Sequence, residues 1–189
     1  FSGILMHNWQ LREARRCFDR GGLIAYPTEA VYGLGCDPLN EAAVMRLLDL
    51  KQRPMAKGLI LIAADLQQLR PFVQWLPAEQ MQPVLASWPG PHTWLLPAAP
   101  GVPEWLTGSH DSLAVRVTAH PVAAALCRAC DSPLVSTSAN RGKRRPLRSA
   151  LQVRRAFHLG VDCVISGPVG GLMRPTPILD ARSGGIVRG

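Results

Sequence analysis

An α/β fold is predicted for this 189-residue chain: a single domain whose twisted, open sheet mixes parallel and antiparallel strands and is flanked by helices. Three observations lead there. Stretches with apolar residues at helical spacing alternate with short apolar runs of strand length, the pattern of helices packed on a sheet. The chain closes with two short stretches, 176–181 and 185–188, around Ser183-Gly184, which read as a hairpin and hence an antiparallel part of the sheet. Finally, 47% apolar residues suffice for one sizeable core at this length.

The elements follow in order. In 8–20, Leu11, Ala14, Cys17 and Phe18 recur at helical intervals, and Gly21-Gly22 stops the helix. Residues 23–26 form an apolar run ended by Pro27, a buried strand that delivers the polar loop Thr28-Glu29. Gly33-Leu34-Gly35 lacks the third glycine of a dinucleotide fingerprint and reads as a close-packing turn. Asn40 can cap a helix with Val44, Leu47 and Leu48 on its apolar face. That helix ends near Gln52, because the residue before Pro54 is pushed out of the helical region. Residues 59–63 form a strand, followed by a helix that Asp65 caps. Another helix at 77–88 closes on the Trp-Pro-Gly-Pro turn at 88–91. Strands at 93–96 and 113–117 are joined by a loop rich in Pro and Gly. A helix at 120–130, a strand at 134–136, a helix at 149–157 and a strand at 161–165 complete the series. No repeat or low-complexity linker interrupts it, so 4–189 is read as one domain. Phe1-Ser2-Gly3, without an initiating Met, is read as left by trimming or processing and is given no function.

Composition narrows the partners. A net charge of +8 and a pI near 9.9 favour anionic ligands such as nucleotides, RNA or acidic surfaces. No run approaches the ~20 apolar residues of a membrane span, and no secretory pattern opens the chain. A soluble, cytoplasmic protein without membrane association is expected. Five dispersed cysteines, an odd number, fit a reducing compartment. Cys127 and Cys130 have metal-ligand spacing but no partnering pair, and they read as buried helical thiols. The five histidines share no spacing, so no metal held by protein ligands is expected. A P-loop is excluded, since Gly142-Lys143 is followed by Arg144.

Three segments could carry chemistry, and each has a plainer reading beside the functional one. In KQRP at 51–54 the helix end brings two cations, Lys51 and Arg53, to one region; basic residues at helix C-termini also simply complement the dipole. STSAN at 136–140 follows an apolar strand, where hydroxyls and an amide can meet phosphate or carboxylate oxygens; the same residues make ordinary turns and caps. YPTEAVYGLG at 26–35 offers a Thr hydroxyl and exposed backbone amides to an amino acid or nucleotide. Otherwise it is a tight turn with Glu29 solvated.

Taken together, YPTEAVYGLG, KQRP with GLILIA, WPGPHT, SLAVRV and LVSTSAN resemble, in this order, the stand-alone bacterial threonylcarbamoyl-AMP synthases, the YrdC/TsaC-like members of the Sua5/YciO/YrdC family. The resemblance runs from about residue 23 to 140 and implies the YrdC-like fold. It implies an adenylation in which L-threonine and bicarbonate give N-carboxythreonine, which attacks the α-phosphate of ATP to yield threonylcarbamoyl-AMP and pyrophosphate. Magnesium would accompany the phosphates. Partner proteins would use the product to modify the adenosine beside the anticodon of tRNA. The family's Lys-x-Arg and Ser-x-Asn signature is matched by Lys51, Arg53, Ser138 and Asn140, expected to act in catalysis and, with Thr93 and Ser136, on ATP. Thr28, Arg116 and Thr176 match substrate contacts. Every reactant carries an anionic group (carboxylate, bicarbonate, triphosphate), so cations that offset their repulsion and pre-oriented donors can do most of the work without a nucleophilic side chain. Two departures stand out. Members carry Ser-Gly shortly after the Asn where this chain has Arg141-Gly142-Lys143-Arg144-Arg145, and Thr176 is followed by Pro177.

Between Arg141 and Arg155 there are seven Lys or Arg and no acid. That stretch is a solvated face, a cover for ATP, or a contact to tRNA or double-stranded RNA through Arg141, Lys143, Arg144 and Arg145. The competing function is therefore an RNA-binding protein of rRNA or tRNA maturation without adenylation activity. A third resemblance, to the carbamoyl-adenylate domain of hydrogenase maturation proteins, lacks the zinc-finger-like segments of those longer chains.

Overall fold

The computed structural model of the chain describes residues 8–175 and 177–188. Its helices are α1 (Asn8–Asp19), α2 (Glu41–Lys51), α3 (Leu66–Leu69), α4 (Ala78–Ala86), α5 (Glu104–Thr107), α6 (Pro121–Cys130) and α7 (Ala150–Phe157). The strands are β1 (Ile24–Pro27), β2 (Tyr32–Gly35), β3 (Ile60–Ala63), β4 (Thr93–Pro97), β5 (Ser112–Val117), β6 (Leu134–Ser138), β7 (Cys163–Val164), β8 (Ile178–Asp180) and β9 (Ile186–Arg188). They join in one sheet of order β7-β1-β2-β6-β3-β5-β4-β8-β9. Pairs β1·β7, β3·β5 and β4·β8 are parallel and the rest antiparallel, so the expected mixed, open sheet is what forms.

Both faces of the central strands are covered, which is why they read as continuous apolar runs rather than alternating ones. Ile24, Tyr26 and Ile62 pack with Phe18, Leu126 and Cys127 of α1 and α6, whereas Leu23, Ala25, Leu61 and Ala63 join Val44, Leu47, Val153 and Phe157 of α2 and α7. Neighbouring residues thus enter opposite clusters, as the strand period requires.

Helix starts obey local chemistry. Asn40 Oδ1 accepts from Ala43 N at 3.0 Å, Asp65 Oδ1 from Gln68 N at 3.1 Å, and Ser149 Oγ from Gln152 N at 3.2 Å, each satisfying an orphan donor of the first turn. Gln52 closes α2 in the left-handed region, φ 52°.

Three expectations change. Gly33-Leu34-Gly35 is not a turn but most of β2; a Cβ on Gly35 would stand 2.0 Å from the Val135 carbonyl oxygen, so the glycine serves close strand approach. The strand at 134–136 continues through Thr137 and Ser138, because Gly33 pairs with Ser138 and Leu34 with Thr137. The loop between β4 and β5 holds the short helix α5. The last stretch does form the predicted hairpin, β8 on β9; Thr176 lies outside the described residues.

Candidate active site

A cavity of about 420 Å³ opens where the loop after β1, the first residues of β3 and β4, and the last of β6 meet. Its Ser and Thr hydroxyl groups come from Thr28, Thr93, Ser136, Thr137 and Ser138, its cations from Arg53, Arg116 and Arg174, and its apolar wall includes Leu59, Ile60, Pro91, Leu172 and Ile178. Thr28, Thr93 and Ser136 are themselves buried. Convergent polar groups in an apolar cleft are the usual form of a small-molecule site.

Arg116 comes from β5 and donates through Nη1 to Thr93 Oγ1 at 3.1 Å. Its Nη2 stands 3.8 Å from Glu29 Oε2, with side chains only 15% and 13% exposed. The other carboxylate oxygen accepts from Thr118 Oγ1 at 2.6 Å and Ala119 N at 3.2 Å. Glu29 is therefore not a solvated turn residue; it is a largely buried counter-charge beside Arg116. His120 lies next to this group, its backbone N donating to Thr118 Oγ1 and its Nε2 3.0 Å from the Pro168 carbonyl. Burial lowers the imidazole pKa against the opposing pull of that carbonyl and of Glu29, because a desolvated charge is disfavoured.

The Lys-x-Arg and Ser-x-Asn segments do come together. Lys51 is 6% exposed. Its Nζ donates to the Ser138 carbonyl, to the Asn140 carbonyl at 3.1 Å and to Asn140 Oδ1 at 2.9 Å. Ser138 Oγ donates to the same Oδ1 at 2.7 Å. Burial, and then the Arg53 charge, push the Lys51 ammonium down to about 8. Arg53 turns the other way, donating to the Gly58 carbonyl at 2.9 Å while lining the cavity. Arg53 and Ser138 thus line the cavity, whereas Lys51 and Asn140 are outside its lining.

Arg141, Lys143, Arg144 and Arg145 are exposed and outside the cavity lining. The loop they occupy is tied by Asn140 Nδ2, which donates to the carbonyls of Gly142 at 2.9 Å and Arg144 at 2.8 Å. Arg141 lies over the Phe157 ring at 5.3 Å.

Cys17, Cys36, Cys127 and Cys130 are buried, and desolvation raises all four thiols, Cys17, Cys36 and Cys130 to about 12. Cys127 and Cys130 are the buried helical thiols read from the sequence, and burial of this kind disfavours the reactive thiolate in all four. Among the described residues no group of three His, Cys, Asp or Glu could hold a metal ion, and no helix is long and apolar enough to cross a membrane.

The family model Sua5_yciO_yrdC, described as "Telomere recombination", matches residues 16–188. The chain belongs to the Sua5/YciO/YrdC family. It is 57% identical to a protein of Halorhodospira halophila named threonylcarbamoyl-AMP synthase, over 95% of this chain and 94% of that one. A protein of the same name from Xanthomonas campestris pv. campestris is 53% identical over 96% and 98%. Among solved structures, P. abyssi Sua5 complexed with L-threonine superposes at TM-score 0.86 with 34% identity over 92% of this chain; this chain spans 51% of that one. E. coli YciO superposes at 0.84 with 25% identity, over 96% and 89%. HypF, at 16% identity and TM-score 0.75, shares the fold alone.

Sequence reasoning missed Glu29, Thr137 and Arg174 as cavity residues. Glu29 had a signal, being an acid in the loop just after a strand that ends at Pro27. Arg174 sits in a stretch without periodicity and offered none.

Proposed function

We propose that the chain is a threonylcarbamoyl-AMP synthase, a nucleotidyltransferase that makes threonylcarbamoyl-AMP and pyrophosphate from ATP, L-threonine and bicarbonate. The observation that carries this reading is one cavity bringing Arg53, Arg116 and Arg174 together with five Ser and Thr side chains, in a chain whose relatives with that name match it nearly end to end. Each substrate brings an anionic group: a carboxylate, bicarbonate or a triphosphate. Without cations their mutual repulsion would oppose assembly, and fixed donors stabilise charge that develops at the α-phosphate.

On this reading Arg53, Thr93, Ser136 and Ser138 face ATP, and Thr28 with Arg116 faces the threonine end. Thr176 is assigned there by family resemblance alone. Arg116 suits a carboxylate because Glu29 and Thr93 already hold its guanidinium in one orientation. The carbamate oxygen of N-carboxythreonine attacks phosphorus and pyrophosphate leaves, so no side-chain nucleophile is required. Magnesium comes on the ATP phosphates, as part of the substrate; of the acid on the wall, Glu29, Oε1 accepts from Thr118 and Ala119, while Oε2 faces Arg116 at 3.8 Å without a hydrogen-bond partner. The product passes to tRNA-modifying partner proteins in the cytoplasm.

Purified protein with ATP, magnesium, threonine and bicarbonate is expected to form threonylcarbamoyl-AMP by mass spectrometry. Pyrophosphate should appear only when threonine and bicarbonate are both present. Folded protein that yields no adduct rejects the reading. The RNA-binding alternative rests on the exposed loop at 141–145, and the relatives do not favour it; it predicts affinity that falls steeply with salt and ignores ATP and threonine.

A further inference from the structure

We infer that Lys51 serves this site as a positioning residue: it orients the Asn140 amide, and through it the Ser138 hydroxyl, and does not itself touch the substrate. The inference rests on the reading that this cavity takes ATP and threonine, and it changes what each member of the Lys-x-Arg and Ser-x-Asn pair does.

An ammonium group carries three protons and no acceptor. At Lys51 the three meet the Ser138 carbonyl, the Asn140 carbonyl and Asn140 Oδ1, in a side chain that is 6% exposed. To reach a phosphate the ammonium would have to give up all three of these charge-assisted hydrogen bonds, which is costly. Arg53, two residues on, follows the left-handed turn at Gln52 and lines the cavity instead.

Proton direction follows from these contacts. Because Lys51 can only donate, the Asn140 atom facing it must be the oxygen, which removes the usual ambiguity of an amide flip. Ser138 Oγ lies 2.7 Å from that same oxygen, so the hydroxyl must donate to it. Ser138 then has only lone pairs to offer the cavity. It is matched to a donor on the substrate, such as a hydroxyl, an amine or an amide N–H, and is mismatched to a phosphate oxygen. The opposite end of the Asn140 amide donates to the Gly142 and Arg144 carbonyls, so the same cation also holds the basic loop.

Three measurements test this. In protein labelled with 15N-lysine, the Lys51 ammonium is expected as a slowly exchanging signal before any substrate is added, and its shift should stay put on adding ATP with magnesium. Lys51→Met should speed tryptic cleavage at 141–145 by about ten-fold or more, the opening expected when charge-assisted hydrogen bonds are lost, while Arg53→Met leaves the rate unchanged. In a double-mutant cycle on kcat/KM, Lys51→Met with Asn140→Ala should be no worse than the poorer single variant, to within about two-fold, because the two act as one unit. The losses from Lys51→Met and Arg53→Met should multiply. An ammonium signal that moves with ATP, a loop cut as fast in the wild type as in Lys51→Met, or multiplying losses for Lys51 and Asn140 would each overturn the inference. Variants that fail to fold leave the wild-type spectrum to decide. A wild type that makes no adduct defeats the proposed function, whereas the ligand-free spectrum and cleavage rates still report whether Lys51 pins the loop.

Discussion

Gly35→Ala tests how the cavity floor is built. The added Cβ would stand 2.0 Å from the Val135 carbonyl oxygen and 3.0 Å from Tyr26 Oη, and the oxygen is backbone that no rotamer change can move. Ordinary C···O contact needs about 3.3 Å, so β2 and β6 must part by about 1.3 Å locally. Two losses follow. Ladder hydrogen bonds beside Gly35, such as Val135 N to the Cys36 carbonyl at 3.1 Å, stretch beyond bonding distance, at about 1 kcal/mol each. The Tyr26 hydroxyl, fully buried and donating to that same Val135 oxygen at 3.1 Å, loses its partner at about 1–3 kcal/mol. The sum is about 3 kcal/mol or more, a fall in Tm of about 6–12 °C for a chain of this size. Urea unfolding should show it as a lower midpoint at constant slope. Ser136 and Ser138 ride on β6, so adduct formation should fall with it. Gly171→Ala, whose Cβ meets nothing within 4 Å, is the control and should lie within about 0.5 kcal/mol of the wild type. A Gly35→Ala protein within about 1 kcal/mol of the wild type would refute the close-approach account of this glycine.

The remaining expectations follow from charge, both buried and exposed. Arg116→Ala strands the Glu29 carboxylate in a pair whose partners are 15% and 13% exposed; unfolding should show a loss of about 3 kcal/mol, and the KM for threonine should rise more than that for ATP. Lys51 has a folded pKa of about 8 against an ordinary 10.5. The unfolded chain therefore binds more protons between those values, and the Lys51 contribution to stability rises with pH across that window. The buried thiols, raised to about 12 from 9.0, act in the opposite sense, losing stability as pH rises. Unfolding of wild type compared with Lys51→Met at each pH isolates the lysine, and a difference that does not change with pH would contradict the assignment. Replacing Lys143, Arg144 and Arg145 by Ala leaves the backbone bonds to Asn140 intact. Adduct formation from small substrates should stay within about two-fold, while any affinity for tRNA should drop and lose salt dependence.

What could be read from the sequence divides along the line between local and distant causes. Asn40, Asp65 and Ser149 were legible as caps because a cap bonds to an amide three residues away, and nothing beyond that turn is needed to infer it. Gly33-Leu34-Gly35 was misread because what requires Gly35 is the Val135 carbonyl, a hundred residues further along the chain; seen alone, two glycines say turn. Glu29 shows the same limit, since its partner Arg116 lies on β5 and only their meeting turns a solvated acid into a counter-charge. Lys51 is the sharpest case. A lysine on the last turn of a helix is adequately explained by the helix dipole, and Ser138 and Asn140 by an ordinary turn. Each local account is complete, yet the three share one hydrogen-bond network in which the cation fixes the amide and the amide fixes the hydroxyl. The motif's spacing, Lys-x-Arg beside Ser-x-Asn, is then a requirement of two layers. In each triplet one residue lines the cavity, Arg53 or Ser138, and the other, Lys51 or Asn140, is outside the lining and hydrogen-bonds to Ser138.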